Sequence, residues 1–318
     1  MSVNYLHAHP EFENLLKIIE EKTGILAQLI EKDYWIMHVL YGLGKQGFEF
    51  ELKGGTSLSK GYKIIDRFSE DIDIHIKPPA GSNVEANPKK IKPDQVRSRK
   101  DYYDYLKSNI QIDGIEGVMR DEAFDNKRTY NSGGIRLLYQ SKTSSIAGIK
   151  DGILLESGFD TVTPNQPLTI SSWAFDEAVS TKGIEIIDNR AKEVLCYNPG
   201  YTFVEKLQTI VTKFRREKES GEELPNLMRQ YYDLYSLLGH AEVHAFIGTD
   251  EYIAHKKTRF PIRDQEIPLA ENEALKLSDP NLRARFEQRY KATASLYYKG
   301  QPEFNTLLER IHEFSCRL

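Results

Sequence analysis

Phe48-Glu49-Phe50-Glu51-Leu52-Lys53-Gly54-Gly55-Thr56-Ser57, followed after a helix-compatible segment by Ser69-Glu70-Asp71-Ile72-Asp73-Ile74-His75-Ile76, decides how the chain is read. Phe48 to Leu52 is a strand-like run that enters a glycine pair, and a second strand begins at the acidic triplet. Side chains at i and i+2 share one face of a strand. Asp71 and Asp73 are therefore expected to point the same way, with Ile72, Ile74 and Ile76 turned into the core. Two neighbouring carboxylates repel each other unless a cation lies between them. Hard oxygen donors of this kind suit Mg²⁺, which is usually held by one or two carboxylates together with substrate phosphates. Gly54 and Gly55 let backbone N–H groups approach a phosphate closely, and the start of the following helix favours negative charge. A phosphate cradle joined to a paired-aspartate strand is what nucleotidyl transfer requires.

Working outward, Gly54-Gly55-Thr56-Ser57 followed by Asp71-Ile72-Asp73 resembles the signature of the polymerase-β-type nucleotidyltransferases. The fuller run from Gly54 through Arg67-Phe68-Ser69-Glu70 to Ile74 is similar to the AbiEii/AbiGii toxin family, the toxin half of abortive-infection and toxin–antitoxin pairs. A second segment carries the same resemblance. Glu205-Lys206 in one helix and Arg229 with Tyr232-Asp233-Leu234 in another look like the later motifs of that family. The resemblance implies that Lys206 and Asp233 complete the nucleotide site, with Glu205 and Arg229 as weaker matches. Read without it, Lys206 is a surface lysine and Asp233 an acid on a helix face.

The resemblance also implies a cradle of Gly54, Gly55, Thr56 and Ser57 for the β- and γ-phosphates, with Lys206 neutralising them and Arg67 or Lys60 assisting. Asp71 and Asp73 would hold two Mg²⁺ ions, with Mn²⁺ as an alternative. A third metal-binding carboxylate is expected on a neighbouring strand. Glu156 ends the apolar run Ile149 to Ser157 and is the candidate, with Asp151 and Asp160 as competitors. The family shows Asp at this place more often than Glu. The implied acceptor is an RNA, with the tRNA 3′ end foremost, and the implied partner is a cognate antitoxin. The same site could instead place AMP or UMP on a protein hydroxyl, and a nucleotide-binding module without catalysis is a third reading. The paired aspartates argue against that last one.

Composition sets the outer limits. A chain of 318 residues, 40% hydrophobic and 28% charged, supports a sizeable core and more than one structural unit. No apolar run approaches the ~20 residues of a membrane span. The N-terminus lacks the basic-then-apolar layout of a signal peptide. A cytoplasmic protein without a membrane partner is expected. The formal net charge of −4 excludes a globally basic nucleic-acid binder but leaves room for a local basic channel. The two cysteines, Cys196 and Cys316, lack zinc-site spacing and read as packing residues.

The remaining pattern predicts an α/β (α+β) fold: an N-terminal helical segment over 1–47, a small mixed sheet of nucleotidyltransferase type over 48–190, and a helical C-terminal domain over 191–318 that closes over the nucleotide. Phe12, Leu15, Leu16 and Ile19 form one helical stripe, and Thr23 is the expected N-cap of the next helix. Glu31-Lys32-Asp33-Tyr34-Trp35 reads on its own as a solvated charged patch beside core aromatics, although a similar element precedes the glycine motif in the AbiEii-like family. Lys77 to Lys100, with four prolines and the basic set Lys89, Lys90, Lys92, Arg97, Arg99 and Lys100, reads as a surface loop. It is either a mobile arm for RNA phosphates or simply solvated. Ile135 to Tyr139 and Ile149 to Ser157 are expected as adjacent antiparallel strands around Ser141 to Ser145. Pro164 to Pro167 is expected as a break, and Gly183 to Ile187 as a further strand. Phe203, Leu207, Ile210, Val211 and Phe214 share a helix face. His240, His244 and His255 lack accompanying ligands and read as ordinary histidines.

Overall fold

The computed structural model describes residues 3–144, 150–181 and 183–318. It divides the chain into two compact units, one of residues 1–61 and 69–197, the other of residues 62–68 and 198–318. The predicted strand start at Ile149 and the last residue of the Ser141–Ser145 break lie outside the described residues.

The first unit opens with helices α1 (Phe12–Thr23) and α2 (Ala27–Lys45). The α1 stripe is buried as its periodicity predicts. Thr23 is not an N-cap. It ends α1, where its hydroxyl donates back to the Ile19 carbonyl, and Gly24 in the left-handed region closes that helix. Helix α2 is buried almost all round, from Leu29 through Leu40, as befits a helix inside a core.

Strand β1 (Phe50–Lys53) follows, then the single turn α3 (Gly54–Thr56), which passes into a π-type turn over Ser57–Gly61. Next come β2 (Ile72–Ile76), α4 (Pro93–Asn109), β3 (Ile115–Asp121), β4 (Ser132–Tyr139), β5 (Ile153–Gly158), β6 (Asn165–Ile170), α5 (Trp173–Ser180) and β7 (Ala191–Tyr197). The strands form one seven-stranded mixed sheet in the order β3-β4-β5-β2-β1-β7-β6. β1 pairs antiparallel with β2 and parallel with β7, while β2 pairs parallel with β5. The α/β class and the antiparallel β4–β5 pair are as predicted.

Two expectations on the far side of the sheet need correction. Pro167 lies inside β6, which is tolerated because β6 is an edge strand with no neighbour to receive the missing N–H. Gly183 to Ile187 makes only an isolated bridge from Ile186 to Asn4, and the strand that enters the sheet is β7. The Lys77–Lys100 segment also differs from its reading. Arg99 is completely buried, and its guanidinium donates to the carbonyls of Thr129, Glu85, Asn87 and Lys90. One arginine thus supplies the hydrogen bonds that the prolines of this segment cannot make.

The second unit is helical: α6 (Pro199–Ser220), α7 (Leu227–Leu237), α8 (Ala241–Phe246), α9 (Asp250–Arg259), α10 (Glu273–Lys276), α11 (Pro280–Lys291) and α12 (Phe304–Phe314), with the strap 62–68. Phe203, Leu207, Ile210, Val211 and Phe214 of α6 are buried on one face. The strap is fixed by backbone pairing, Phe68 N–H donating to the Leu296 carbonyl at 2.8 Å. Among the described residues no helix is long and apolar enough to cross a membrane.

Candidate active site

The register of three strands builds the site. Lys53 of β1 lies opposite Asp73 of β2, and Asp73 lies beside Glu156 of β5. Residues in register across a sheet share a face, so Lys53, Asp73 and Glu156 form a row. Ile72, Ile74 and Ile76 are buried on the opposite face, which locks β2 into the one register that presents Asp73. Asp71 stands one residue before the ladder, and the buried Thr56 hydroxyl donates to its carbonyl at 2.8 Å. The glycine turn and the acidic strand are thereby fastened to each other.

Gly54 shows why the motif begins with glycine. Its φ is +68°, a conformation L side chains rarely adopt, and a Cβ here would fall 1.8 Å from Asp73 Oδ2. The Asp73 carboxylate fills the space that any other residue would need. Ser57 is fully buried beside the Cys196 thiol of β7, and its backbone N–H donates to the Gly54 carbonyl, so it closes the glycine turn and is not turned toward a phosphate.

The electrostatics of the row are those of crowded acids. Burial, then the neighbouring Glu70 and Asp73 charges, hold Asp71 above the ordinary aspartate range. Burial, then Asp73 and Asp71, push Glu156 up to about 7, with Lys53 and Lys150 pulling the other way. Among the described residues no three His, Cys, Asp or Glu side chains stand at metal-holding spacing. The donor chemistry nevertheless fits Mg²⁺: oxygen ligands on one face, partly buried, whose mutual repulsion a divalent cation relieves. Of the two competitors for the third carboxylate, Asp160 accepts from Lys53 Nζ at 3.2 Å. Glu156 is the acid that shares a row with Asp73.

Glu31, Lys32 and Asp33 correct the solvated reading, since all three are buried. The Glu31 carboxylate accepts from the Ser141 hydroxyl at 2.8 Å, the Lys142 N–H at 2.8 Å and the Thr143 hydroxyl at 2.7 Å, gathering the turn beyond β4. Lys32 Nζ donates to Glu70 Oε1 at 2.8 Å and to the Lys150 carbonyl at 2.5 Å, bracing the residue next to Asp71. Asp33 accepts from Lys60 Nζ at 2.6 Å and from the Trp173 N–H at 2.9 Å. One turn of α2 thus anchors three surrounding segments, including the turn after the glycines. Its composition alone carried no signal of this, because a charged triplet on a helix is normally solvated.

The other cations nominated from sequence are engaged elsewhere. Lys60 is held by Asp33 and lies 5.0 Å from the centre of the Trp173 ring. Arg67, in the second unit, makes a bidentate pair with Asp233, both contacts at 2.6 Å. Lys206 Nζ adds a third contact to Asp233 at 2.9 Å. Burial alone would raise the Asp233 pKa, but Arg67 and Lys206 outweigh it and hold the carboxylate below its ordinary value. Lys206, Arg67 and Asp233 are brought together in the second unit, and Gly54 and Thr56 are brought to Asp73 and Asp71 in the first, where Lys60 is bound to Asp33. Glu205 pairs with Arg259 at 2.7 Å.

Comparison with known proteins adds a family. Residues 38–310 match the family described as "Nucleotidyl transferase AbiEii toxin, Type IV TA system". No curated protein matches the chain. Among solved structures, an antigenic nucleotidyltransferase-like protein from Paracoccidioides brasiliensis is similar at 10% identity and a TM-score of 0.38, covering 80% of this chain and 92% of its own.

Proposed function

The chain belongs to the AbiEii nucleotidyl transferase toxin family of type IV toxin–antitoxin systems, and from that premise we propose that it moves a nucleoside monophosphate from an NTP onto the 3′ end of a tRNA, releasing pyrophosphate. The observation that carries this reading is the register of Asp73 with Glu156, closed on one side by Gly54. It gives an acidic row packed directly against the glycine turn.

Asp71, Asp73 and Glu156 would hold Mg²⁺, or Mn²⁺ in its place, which when bound supplies Lewis-acid neutralisation of the phosphates. The chain's own part is positioning and proton handling. Gly55 and Thr56 would offer backbone N–H groups to the β- and γ-phosphates, with Ser57 closing the turn onto the Gly54 carbonyl. Glu156, the acid in register with Asp73, takes the proton of the attacking hydroxyl. Glu31, Lys32 and Asp33 keep the turns around this row in place. Lys206 and Asp233 are carried as nucleotide-binding residues of the second unit. The setting is cytoplasmic, and a cognate antitoxin restrains the activity.

The acceptor is tested with labelled NTPs and purified tRNA, intact or with its terminal ribose oxidised by periodate. Label in intact tRNA and none in oxidised tRNA is the expected result. Label in oxidised tRNA, or in protein alone, would refute the 3′-end assignment.

A further inference from the structure

Lys60 is bound to Asp33 and Lys32 to Glu70, and β1 places a further cation in the acidic row. Lys53 is the last residue of that strand, in register with Asp73, which is itself in register with Glu156. All three side chains leave the same face of the sheet. The Lys53 side chain is 21% exposed. Asp160 Oδ2 receives the ammonium at 3.2 Å, and the Thr161 N–H donates to the other oxygen of that carboxylate at 2.9 Å. The lysine is therefore held by a carboxylate that is itself fixed. Its charge also reaches Glu156, which it draws downward against burial and the two aspartates. Lys150, which acts on Glu156 in the same sense, has its ammonium over the Phe124 ring at 4.6 Å.

We propose that Lys53 is a catalytic residue whose ammonium binds a non-bridging oxygen of the phosphoryl group being transferred. The proposal rests on the nucleotidyl-transfer reading. In that reaction the acceptor hydroxyl oxygen forms a bond to the α-phosphorus, and the bond from that phosphorus to the bridging oxygen of the β-phosphate breaks. Pyrophosphate leaves with the electron pair, and the hydroxyl proton passes to Glu156. Lys53 remains protonated throughout. The two acids of the row and Asp71 before it repel an incoming triphosphate, and a fixed ammonium in the same row offsets that repulsion where charge gathers on the equatorial oxygens. Asp160 keeps the lysine aimed until the phosphate takes its place.

The test compares wild-type protein with Lys53→Met and Lys53→Arg, each checked for unchanged thermal unfolding. Single-turnover rates are measured with an NTP and with the two diastereomers of its α-phosphorothioate, alongside equilibrium NTP binding. Lys53→Met is expected to slow transfer by about a hundredfold and to shrink the rate penalty of one diastereomer, while NTP binding changes by less than about threefold. Lys53→Arg is expected to recover at least about tenfold of that loss, since the charge is retained. A Lys53→Met rate within about threefold of wild type, or an unaltered phosphorothioate penalty, would overturn the assignment of Lys53 alone. Wild-type protein that transfers no label would instead overturn the nucleotidyl-transfer reading, and Lys53's role with it.

Discussion

Asp73 and Glu156 stand side by side on β2 and β5, paired in parallel register, with Gly54 so close behind Asp73 that no Cβ fits between them. Two acids are held together by backbone hydrogen bonds that neither can relax by moving away. The sheet supplies the energy that keeps the charges crowded, and a bound cation can recover it.

This crowding sets a pH dependence for the metal-free protein. The folded pKa of Glu156, about 7, is above its ordinary value of 4.5. Between those values the folded state holds more protons than the unfolded one, so stability falls as pH rises. The melting temperature in a chelating buffer is expected to drop from pH 4.5 to 7, and Glu156→Gln should flatten that slope. An equally steep slope in the variant would contradict the assignment.

Removing a carboxylate should separate stability from chemistry. Asp73→Asn and Glu156→Gln are expected to reduce transfer by at least about a hundredfold. Their metal-free melting temperatures should equal or exceed the wild-type value, because repulsion is lost. Thermal unfolding run beside single-turnover kinetics decides this.

Gly54→Ala should be far more damaging than alanine at most glycines. The positive φ alone costs on the order of 1 kcal/mol, and the new methyl must displace the Asp73 carboxylate. Transfer is expected to be lost while Gly44→Ala, where a Cβ meets nothing within 4 Å, remains active. Comparable activity of the two variants would refute the close packing.

Lys32 and Glu70 form a buried ion pair, their side chains 2% and 12% exposed. Lys32→Met leaves an uncompensated carboxylate and is expected to cost roughly 3–5 kcal/mol. Adding Glu70→Gln should return part of that loss in a double-mutant cycle of denaturant unfolding. Strict additivity would show that the pair does not couple.

In the second unit, Arg67 and Lys206 share Asp233 unequally. Arg67 donates twice at 2.6 Å and Lys206 once at 2.9 Å. Arg67→Met is therefore expected to lower the melting temperature more than Lys206→Met. If Lys206 also meets the nucleotide, Lys206→Met should weaken NTP binding beyond what its stability change explains. Binding that is unchanged in Lys206→Met would make the lysine only a counterion of Asp233.

The glycine pair and the alternating acids and isoleucines were legible because strand periodicity and positive-φ glycine leave local marks. The same holds for the apolar stripes of α1 and α6. What was not legible depends on contacts distant in sequence. Glu31 reads as solvated until the turn after β4 folds onto it, and Arg99 reads as part of a loop that is either solvated or bound to phosphates until four carbonyls surround it. Lys60 and Arg67 sit within the motif by sequence, yet each is taken by an acid from another element. β7 was missed because it joins the sheet beside β1, a pairing that no local pattern announces.

The most direct test incubates the protein and its Asp73→Asn variant with each α-³²P-labelled NTP, Mg²⁺ and total cellular RNA and protein, then separates the products. Label in a tRNA-sized band with wild type, absent with the variant and absent without Mg²⁺, is the result expected. Label that persists in the Asp73→Asn reaction, or none with wild type under any nucleotide, would contradict the account.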